Sequence, residues 1–294
     1  MACIPIKAAD LLKKNKKVLP DRAKDFSNYT FWYYTSIDTA EKILASKQIY
    51  ISNLSMMNDM VEASLHEKDK DSVHCLCLCN SNTEKIPMWY LYSGIAGNGV
   101  ALGFTPFKMK KLIKSIEKIS TVDGKSVLHK DEDFDLHYGW IYYRKAEKPK
   151  EIMYKRKWYA LEDPQEFDKE NYFIKSYPWE YEKEFRIVIR NKTEEKQERF
   201  ALDISSVIDD IKIKLAPELN KKEFEKRLPN LNGFMQYLSE KFLHSTLSIN
   251  MQLFNRNFES FVGYLRNGAQ ENIDYSDICR AISPAINCQS NKQA

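Results

Sequence analysis

No apolar run in the 294 residues approaches the roughly 18 that a membrane-spanning helix needs, and no membrane is expected as a partner. Neither G-x-G-x-x-G nor a P-loop occurs, so the glycine-rich nucleotide cradles that a sequence can announce are missing. The five histidines, at positions 66, 74, 129, 137 and 244, show no H-E-x-x-H or other ligand spacing, and no metal is expected. The first 17 residues carry Lys14, Lys16 and Lys17 after their apolar positions and lack the order of a secretion signal, which gives an expectation of a cytoplasmic protein. There are no internal repeats.

Cysteine is present but in an unpromising pattern for metal. Cys75, Cys77 and Cys79 alternate in V-H-C-L-C-L-C, which puts them along one face of a strand and Leu76 and Leu78 along the other. Zinc sites favour two-residue gaps and a turn. Buried reduced thiols are expected.

What the chain does have is a large apolar fraction, 43%, with 13% aromatic residues, enough for a sizeable core. Its net charge of +4 permits an acidic partner such as RNA without requiring one. Periodicity predicts strands at 31–35, 48–52, 73–79, 100–104, 140–143, 185–189, 200–202 and 211–215. Helices are predicted at 39–46, capped by Ser36 or Asp38, at 87–94, at 107–119 and at 167–176. On the third of these Met109, Leu112, Ile113 and Ile116 face the core and a lysine run faces solvent. Residues 120–135 read as a charged loop. The organisation expected is a lead-in at 1–28 with a short helix, a main domain at 29–217, a helical region at 218–284 and a disordered tail at 285–294.

The most informative stretch is W-E-Y-E-K-E-F-R-I-V-I-R, residues 179–190. Glu182 and Glu184 stand two apart at the mouth of a predicted buried strand, and residues two apart in a strand share a face. Two carboxylates that close, beside apolar and aromatic groups, are costly unless they serve a purpose. A solvated edge strand is the plainer alternative. Upstream, an aromatic strand ends in Tyr33-Tyr34-Thr35, followed by a helix with an I-D-x-x-x-x-I-L pattern and a short strand.

This order resembles the ADP-ribosyltransferase fold, in which a strand carries an H-x-[ST] or Y-x-[ST] motif, a helix with I-L follows, and a late strand begins with a catalytic glutamate. Tyr33 then stands in the usual histidine position, Glu184 in the glutamate position, and Glu182 completes an E-x-E form. More closely, residues 30–217 resemble an uncharacterised bacterial domain-of-unknown-function family. Its marks are N-D-x-x-E (here Asn58, Asp59 and Glu62), W-x-x-Y (Trp89 and Tyr92) and W-x-Y-E-x-E-x-R (Trp179, Tyr181, Glu182, Glu184 and Arg186). Met57 and Met60 depart from the Phe and Pro of its loop motif.

The resemblance implies an α+β fold of split antiparallel β-sheets with flanking helices, plus the helical C-terminal part. It implies NAD as a substrate and a mono-ADP-ribosyltransferase, of the kind found in bacterial toxins and phage-defence effectors. In this the chain resembles the mRNA-modifying toxins of phage-defence toxin–antitoxin–chaperone systems. Cleaving the nicotinamide–ribose bond passes through an oxocarbenium-like ribose, as glycoside cleavage does. Glu184 would stabilise that cation, Glu182 would orient or deprotonate the acceptor, and Tyr33 would bond the adenosine ribose. Tyr34, Trp89 or Tyr92 would stack on nicotinamide, Thr35 would support the strand end, and Asn58 and Asp59 would border the pocket. Lys175 and Arg186 would hold the pyrophosphate.

Each role has a plainer alternative. Glu184 also suits an ion pair with Arg186 or Lys183, Tyr33, Trp89 and Tyr92 suit the core, Asn58 and Asp59 suit a turn cap, and Lys175 and Arg186 suit pairing with the glutamates. The acceptor is RNA or protein. RNA is favoured by the basic, aromatic segment 140–158, with Lys155, Arg156 and Lys157 as candidate contacts, against a solvated loop with core anchors. The stripe Phe254, Phe258, Phe261 and Leu265 suits an antitoxin groove or internal packing. Two further functional readings stand: a nucleotide- or partner-binding module without transfer activity, and an NAD glycohydrolase with water as acceptor.

Overall fold

In chain order the elements are β1 (Ile4–Ile6), α1 (Ala8–Lys16), β2 (Phe31–Ser36), α2 (Ile37–Ser46), β3 (Gln48–Asn53), β4 (Val73–Asn80), α3 (Ile86–Tyr92) and β5 (Gly99–Phe104). There follow α4 (Pro106–Ser115), β6 (Lys118–Thr121), β7 (Val127–His129), β8 (Phe134–Trp140), β9 (Tyr142–Arg144), β10 (Glu151–Tyr154) and β11 (Lys157–Leu161). The last are α5 (Pro164–Asp168), β12 (Ile174–Ser176), β13 (Glu184–Asn191), β14 (Arg199–Asp203) and β15 (Lys212–Leu215). This computed structural model describes residues 3–16, 30–57, 68–80, 86–92, 99–168 and 172–216. Asn58, Asp59, Glu62, the helical region expected at 218–284, its Phe254 to Leu265 stripe and the tail at 285–294 lie outside the described residues.

The protein is a mixed α/β structure in which strands dominate. The larger sheet runs β15-β5-β2-β4-β3-β14-β6-β7, with β13 on the other edge of β4 and β8 beyond it. The smaller runs β1-β11-β10-β9-β12. Residues 4–6 therefore do more than lead in: β1 pairs in parallel with β11, Ile4 opposite Tyr159. No helix among the described residues is long and apolar enough to cross a membrane.

Local chemistry accounts for both ends of α2. Ser36 caps α2 by accepting a hydrogen bond from the Thr39 amide at 3.2 Å, and Lys47 ends it in the left-handed region at φ 57°. Phe185, Ile187 and Ile189 on β13 meet Leu76, Leu78 and Phe31 in the main core, as alternation requires.

Four expectations are corrected. The helix predicted for 107–119 ends at Ser115, where Ile116 closes the last turn, and Ile119 belongs to β6, which pairs with β7. The loop predicted for 120–135 holds β7 and the start of β8, which pairs with β13 from Phe185 to Asn191. The strand predicted for 140–143 is two strands, because the chain leaves the larger sheet after Trp140 and joins the smaller at Tyr142; the Ile141 amide donates to the Glu184 carbonyl at that crossing. The helix predicted for 167–176 is α5 followed by β12, where Ile174, Lys175 and Ser176 pair with β9.

One irregularity of the larger sheet matters for the site. On one edge β4 is paired with β13 along its length. On the other edge Cys79 and Asn80 pair with β2, while His74 and Cys75 pair with β3. Among the described residues no strand pairs with Leu76, Cys77 or Leu78 on that edge. The sheet forks there.

Candidate functional site

Glu184 opens β13, opposite Cys79 of β4. Strand alternation turns Glu184 and Arg186 away from the main core and onto the face that carries Cys75, Cys77 and Cys79. Glu182 arrives by another route than the predicted strand mouth. It is the last residue of a 3-10 turn, Tyr177–Glu182, and Lys183 follows in the left-handed region at φ 45°. That single reversed residue brings the Glu182 side chain back beside Glu184. Lys175 comes from the smaller sheet, where β12 lies parallel to β9 with Lys175 opposite Tyr143.

Four charged side chains meet at this junction. Lys175 Nζ lies 2.6 Å from Glu182 Oε2 and 3.2 Å from Glu184 Oε2. Arg186 Nε lies 2.6 Å from Glu184 Oε1, and Arg186 Nη1 donates to the Tyr172 carbonyl at 2.9 Å. The Tyr92 hydroxyl donates to Glu182 Oε1, and the Tyr143 hydroxyl accepts from the Glu184 amide at 2.8 Å. All four charged residues are buried, Arg186 completely. With both acids ionised the group is neutral, which is how so much charge is tolerated away from water.

The two acids are driven in opposite directions. Burial pushes Glu184 up, but Arg186 and Lys175 together outweigh it and hold the carboxyl at about 2, helped by a hydrogen bond from the Cys77 thiol. Burial also pushes Glu182 up and there it prevails: Lys175 opposes it, the Glu184 charge reinforces it, and Glu182 lies above the ordinary carboxyl range. Burial works against the Lys175 charge, yet the two glutamates overcome it and hold the ammonium well above its usual value. Burial and the charge of Glu182 raise Tyr92, and burial and Glu184 raise Tyr143, so both remain neutral phenols.

A pocket of about 360 Å³ reaches this cluster through the fork. Tyr33, Tyr34 and Thr35 of β2 form one wall, Tyr50 and Ser52 of β3 another, and Cys75 through Cys79 of β4 the floor between them. Because the fork is seen edge-on, side chains from both faces of the sheet line it. Lys175, Glu182, Glu184 and Tyr92 stand at its polar end. Its volume falls within the range of small-molecule sites, about 300–1,000 Å³.

The predicted residues are thus partly gathered. Tyr33, Tyr34, Thr35, Tyr92, Lys175, Glu182 and Glu184 line one pocket. Trp89 is buried behind Tyr34, edge-on at 4.7 Å, and supports the wall rather than forming it. Arg186 is completely buried beneath Glu184 and bonds that carboxylate. Lys155, Arg156 and Lys157 sit on the β10–β11 hairpin of the smaller sheet and are exposed. Other contributors were not singled out from the sequence. Trp32 and Tyr50 line the pocket, and Tyr143 holds the Glu184 backbone. The strand alternation that grouped the three cysteines also pointed to Cys77, but nothing in it tells the site face from a core face.

Residues 88–187 match a family described as Protein of unknown function (DUF2971). That third of the chain includes Tyr92, Tyr143, Lys175, Glu182, Glu184 and Arg186, and leaves out the β2 and β3 walls. No curated protein and no solved structure matches the chain.

Proposed function

We propose that this pocket cleaves the nicotinamide–ribose bond of NAD and transfers ADP-ribose to a macromolecular acceptor. The observation that carries the reading is the pair of carboxylates at one aromatic-walled pocket, one held ionised by its cations and one raised above its ordinary value by burial. Two neighbouring acids whose environments push them apart form an acid/base division of labour. The forked sheet supports the same reading, since split sheets are what resemblance to ADP-ribosyltransferases implies.

In the proposed reaction the C1′–N bond breaks and its electron pair leaves with nicotinamide. Positive charge develops on the ribose ring, and the Glu184 carboxylate, fixed by Arg186 and Lys175, stabilises it without reorganising. A nucleophile on the acceptor then forms the new bond to C1′, and its proton passes to Glu182. Lys175 shares both carboxylates and compensates the change in charge at Glu182. The aromatic wall, Tyr33, Tyr34 and Tyr50 with Trp32, supplies faces for a flat cationic ring.

One observation favours a second reading: every carboxylate oxygen of the pair has a cation or phenol partner. A binding pocket without transfer would be built in the same way. Nicotinamide release from NAD by the purified protein separates the two. The transferase reading expects release that Glu184→Gln abolishes with the fold intact. NAD binding without release supports the binding module, and release that yields free ADP-ribose with no labelled macromolecule supports a glycohydrolase.

A further inference from the structure

Residues 144–158 carry seven basic and two acidic side chains, a net charge of +5 where the whole chain carries +4. The other 279 residues therefore sum to −1. The fold concentrates the segment's charge further. The segment runs from the last residue of β9 into β11 and includes the turn of the β10–β11 hairpin, Lys155 and Arg156 at φ 48° and 65°. Lys155, Arg156 and Lys157 are exposed at its tip.

Aromatic rings lead from this hairpin to the glutamates. Trp158 and Tyr177 lie 5.3 Å apart between ring centres, with Lys145 Nζ 5.2 Å from each. Tyr177 begins the 3-10 turn that ends at Glu182. Within that turn Trp179 lies 4.8 Å from Lys175 Nζ, the ammonium that bonds Glu182. Trp158, Tyr177 and Trp179 belong to one partly buried cluster with Ile141, Tyr143 and Met153. Basic groups beside a row of half-exposed rings form a combination that a merely solvated lysine face does not need.

We infer that this surface binds a single-stranded polynucleotide and presents one of its bases to Glu182 as the acceptor. Lys155 Nζ lies 5.4 Å from the Tyr154 ring, and Lys157 pairs with Tyr154, so both stand on the face of the smaller sheet opposite Trp158. The bound strand rounds the hairpin tip, its phosphates engaging Lys155, Arg156 and Lys157 there and Lys145 beside the rings, and its unpaired bases stack on Trp158, Tyr177 and Trp179. Lys145 covers two of those ring faces; a phosphate recruits the ammonium and frees them. A duplex keeps its bases stacked internally and offers the rings nothing. An acidic protein would satisfy the charge but leave the rings unused. The acceptor step rests on the transferase reading: a base nitrogen or oxygen bonds C1′ of the ribose and its proton goes to Glu182. The binding itself does not depend on that reading.

The test is fluorescence anisotropy with short dye-labelled oligoadenylate, oligodeoxyadenylate and a duplex, each titrated with the full chain across a salt series and without NAD. The charge-removing variant is Lys155→Asn with Arg156→Gly. Asn-Gly is the preferred pair for such a turn, so this change removes two charges while favouring the hairpin. We expect single strands to bind more tightly than duplex, with affinity falling as salt rises. The Asn-Gly variant should bind about tenfold more weakly with a shallower salt slope. Tyr177→Leu should lose roughly five- to a hundredfold. Preference for RNA, for DNA or equal binding all support the surface and identify the strand it takes. Duplex preference, no binding at low salt by folded protein, or unchanged affinity in both variants would overturn it. A protein that releases nicotinamide yet binds no oligonucleotide sinks this inference alone; one that binds oligonucleotide and leaves NAD intact sinks the transferase alone.

Discussion

Lys175 reaches out of the smaller sheet to within 2.6 Å of Glu182, a residue that the sequence places seven positions later and on the opposite side of a sheet boundary. The same ammonium lies 3.2 Å from Glu184. One cation therefore ties both acids together across the junction of the two sheets, and the behaviour of the site follows from how that tie is balanced.

The first prediction concerns the buried ion pair. Arg186→Met leaves Glu184 ionised and half-partnered in the interior, which costs about 3–5 kcal/mol of stability. Arg186→Lys keeps the charge but cannot serve both Glu184 and the Tyr172 carbonyl, and should also destabilise. Combining Arg186→Met with Glu184→Gln removes both charges, so the double variant should be more stable than the additive sum. Denaturant titration of the four proteins closes the cycle.

A second prediction is the pH dependence of nicotinamide release in the presence of acceptor. Glu182 acts as a base only when ionised, and its pKa lies above the ordinary 4.5. Rate should therefore fall as pH drops through that raised value, by about tenfold per unit well below it. Tyr92→Phe removes a donor to the ionised form, so the same limb should move to higher pH. Glu182→Gln should erase the limb and leave a low, flat rate.

The third prediction tests stability against pH. His74 is buried, its Nε2 lies 2.7 Å from the Gln197 carbonyl, and burial lowers its pKa below 6.5. A depressed value means that the unfolded chain takes up the proton first. The contribution of His74 is present above 6.5 and is lost as pH falls through the folded value. Glu184 acts in the same direction further down, with its contribution lost between 4.5 and about 2. Glu182 is raised and acts oppositely: its contribution is present below 4.5 and is lost as pH rises through its folded value. Thermal melts should show stability beginning to fall as pH drops past 6.5, and His74→Gln should flatten that first step.

A fourth prediction addresses the pocket wall. A Cβ on Gly103 would lie 2.5 Å from Trp32 Cζ3 and 2.8 Å from Cε3. The Trp32 ring lies against that bare backbone and must move in Gly103→Ala. Overpacking of this kind costs about 1–3 kcal/mol. Because Trp32 lines the pocket, KM for NAD should rise as well, whereas a surface substitution of equal cost leaves it unchanged.

Much of this was legible in the residues. Strand alternation separates Phe185, Ile187 and Ile189 from Glu184 and Arg186, the strand at 31–35 stands out by its aromatic residues and the strand at 73–79 by its alternating cysteines and leucines. The convergence of Glu182 with Glu184 was read correctly for the wrong reason, because a 3-10 turn and one left-handed lysine imitate the two-residue spacing of a strand. Lys175 is named by the sequence as a candidate that also suits pairing with the glutamates, as it does here, but its strand reads as part of a helix. Nothing local marks three residues as a parallel strand when their partner, β9, lies 32 positions away, Ile174 opposite Tyr142. The fork in β4 was invisible for the same reason: it is a property of which strands pair, and pairing is decided by the whole core.

The most direct test of the account is an incubation of the protein with adenylate-labelled NAD and a total bacterial lysate, beside Glu184→Gln shown to be folded. The account predicts label on a macromolecule, lost in the variant by a factor on the order of 10²–10³, with nicotinamide released in step. No label and no nicotinamide from the folded wild-type protein, or equal labelling by Glu184→Gln, would contradict it.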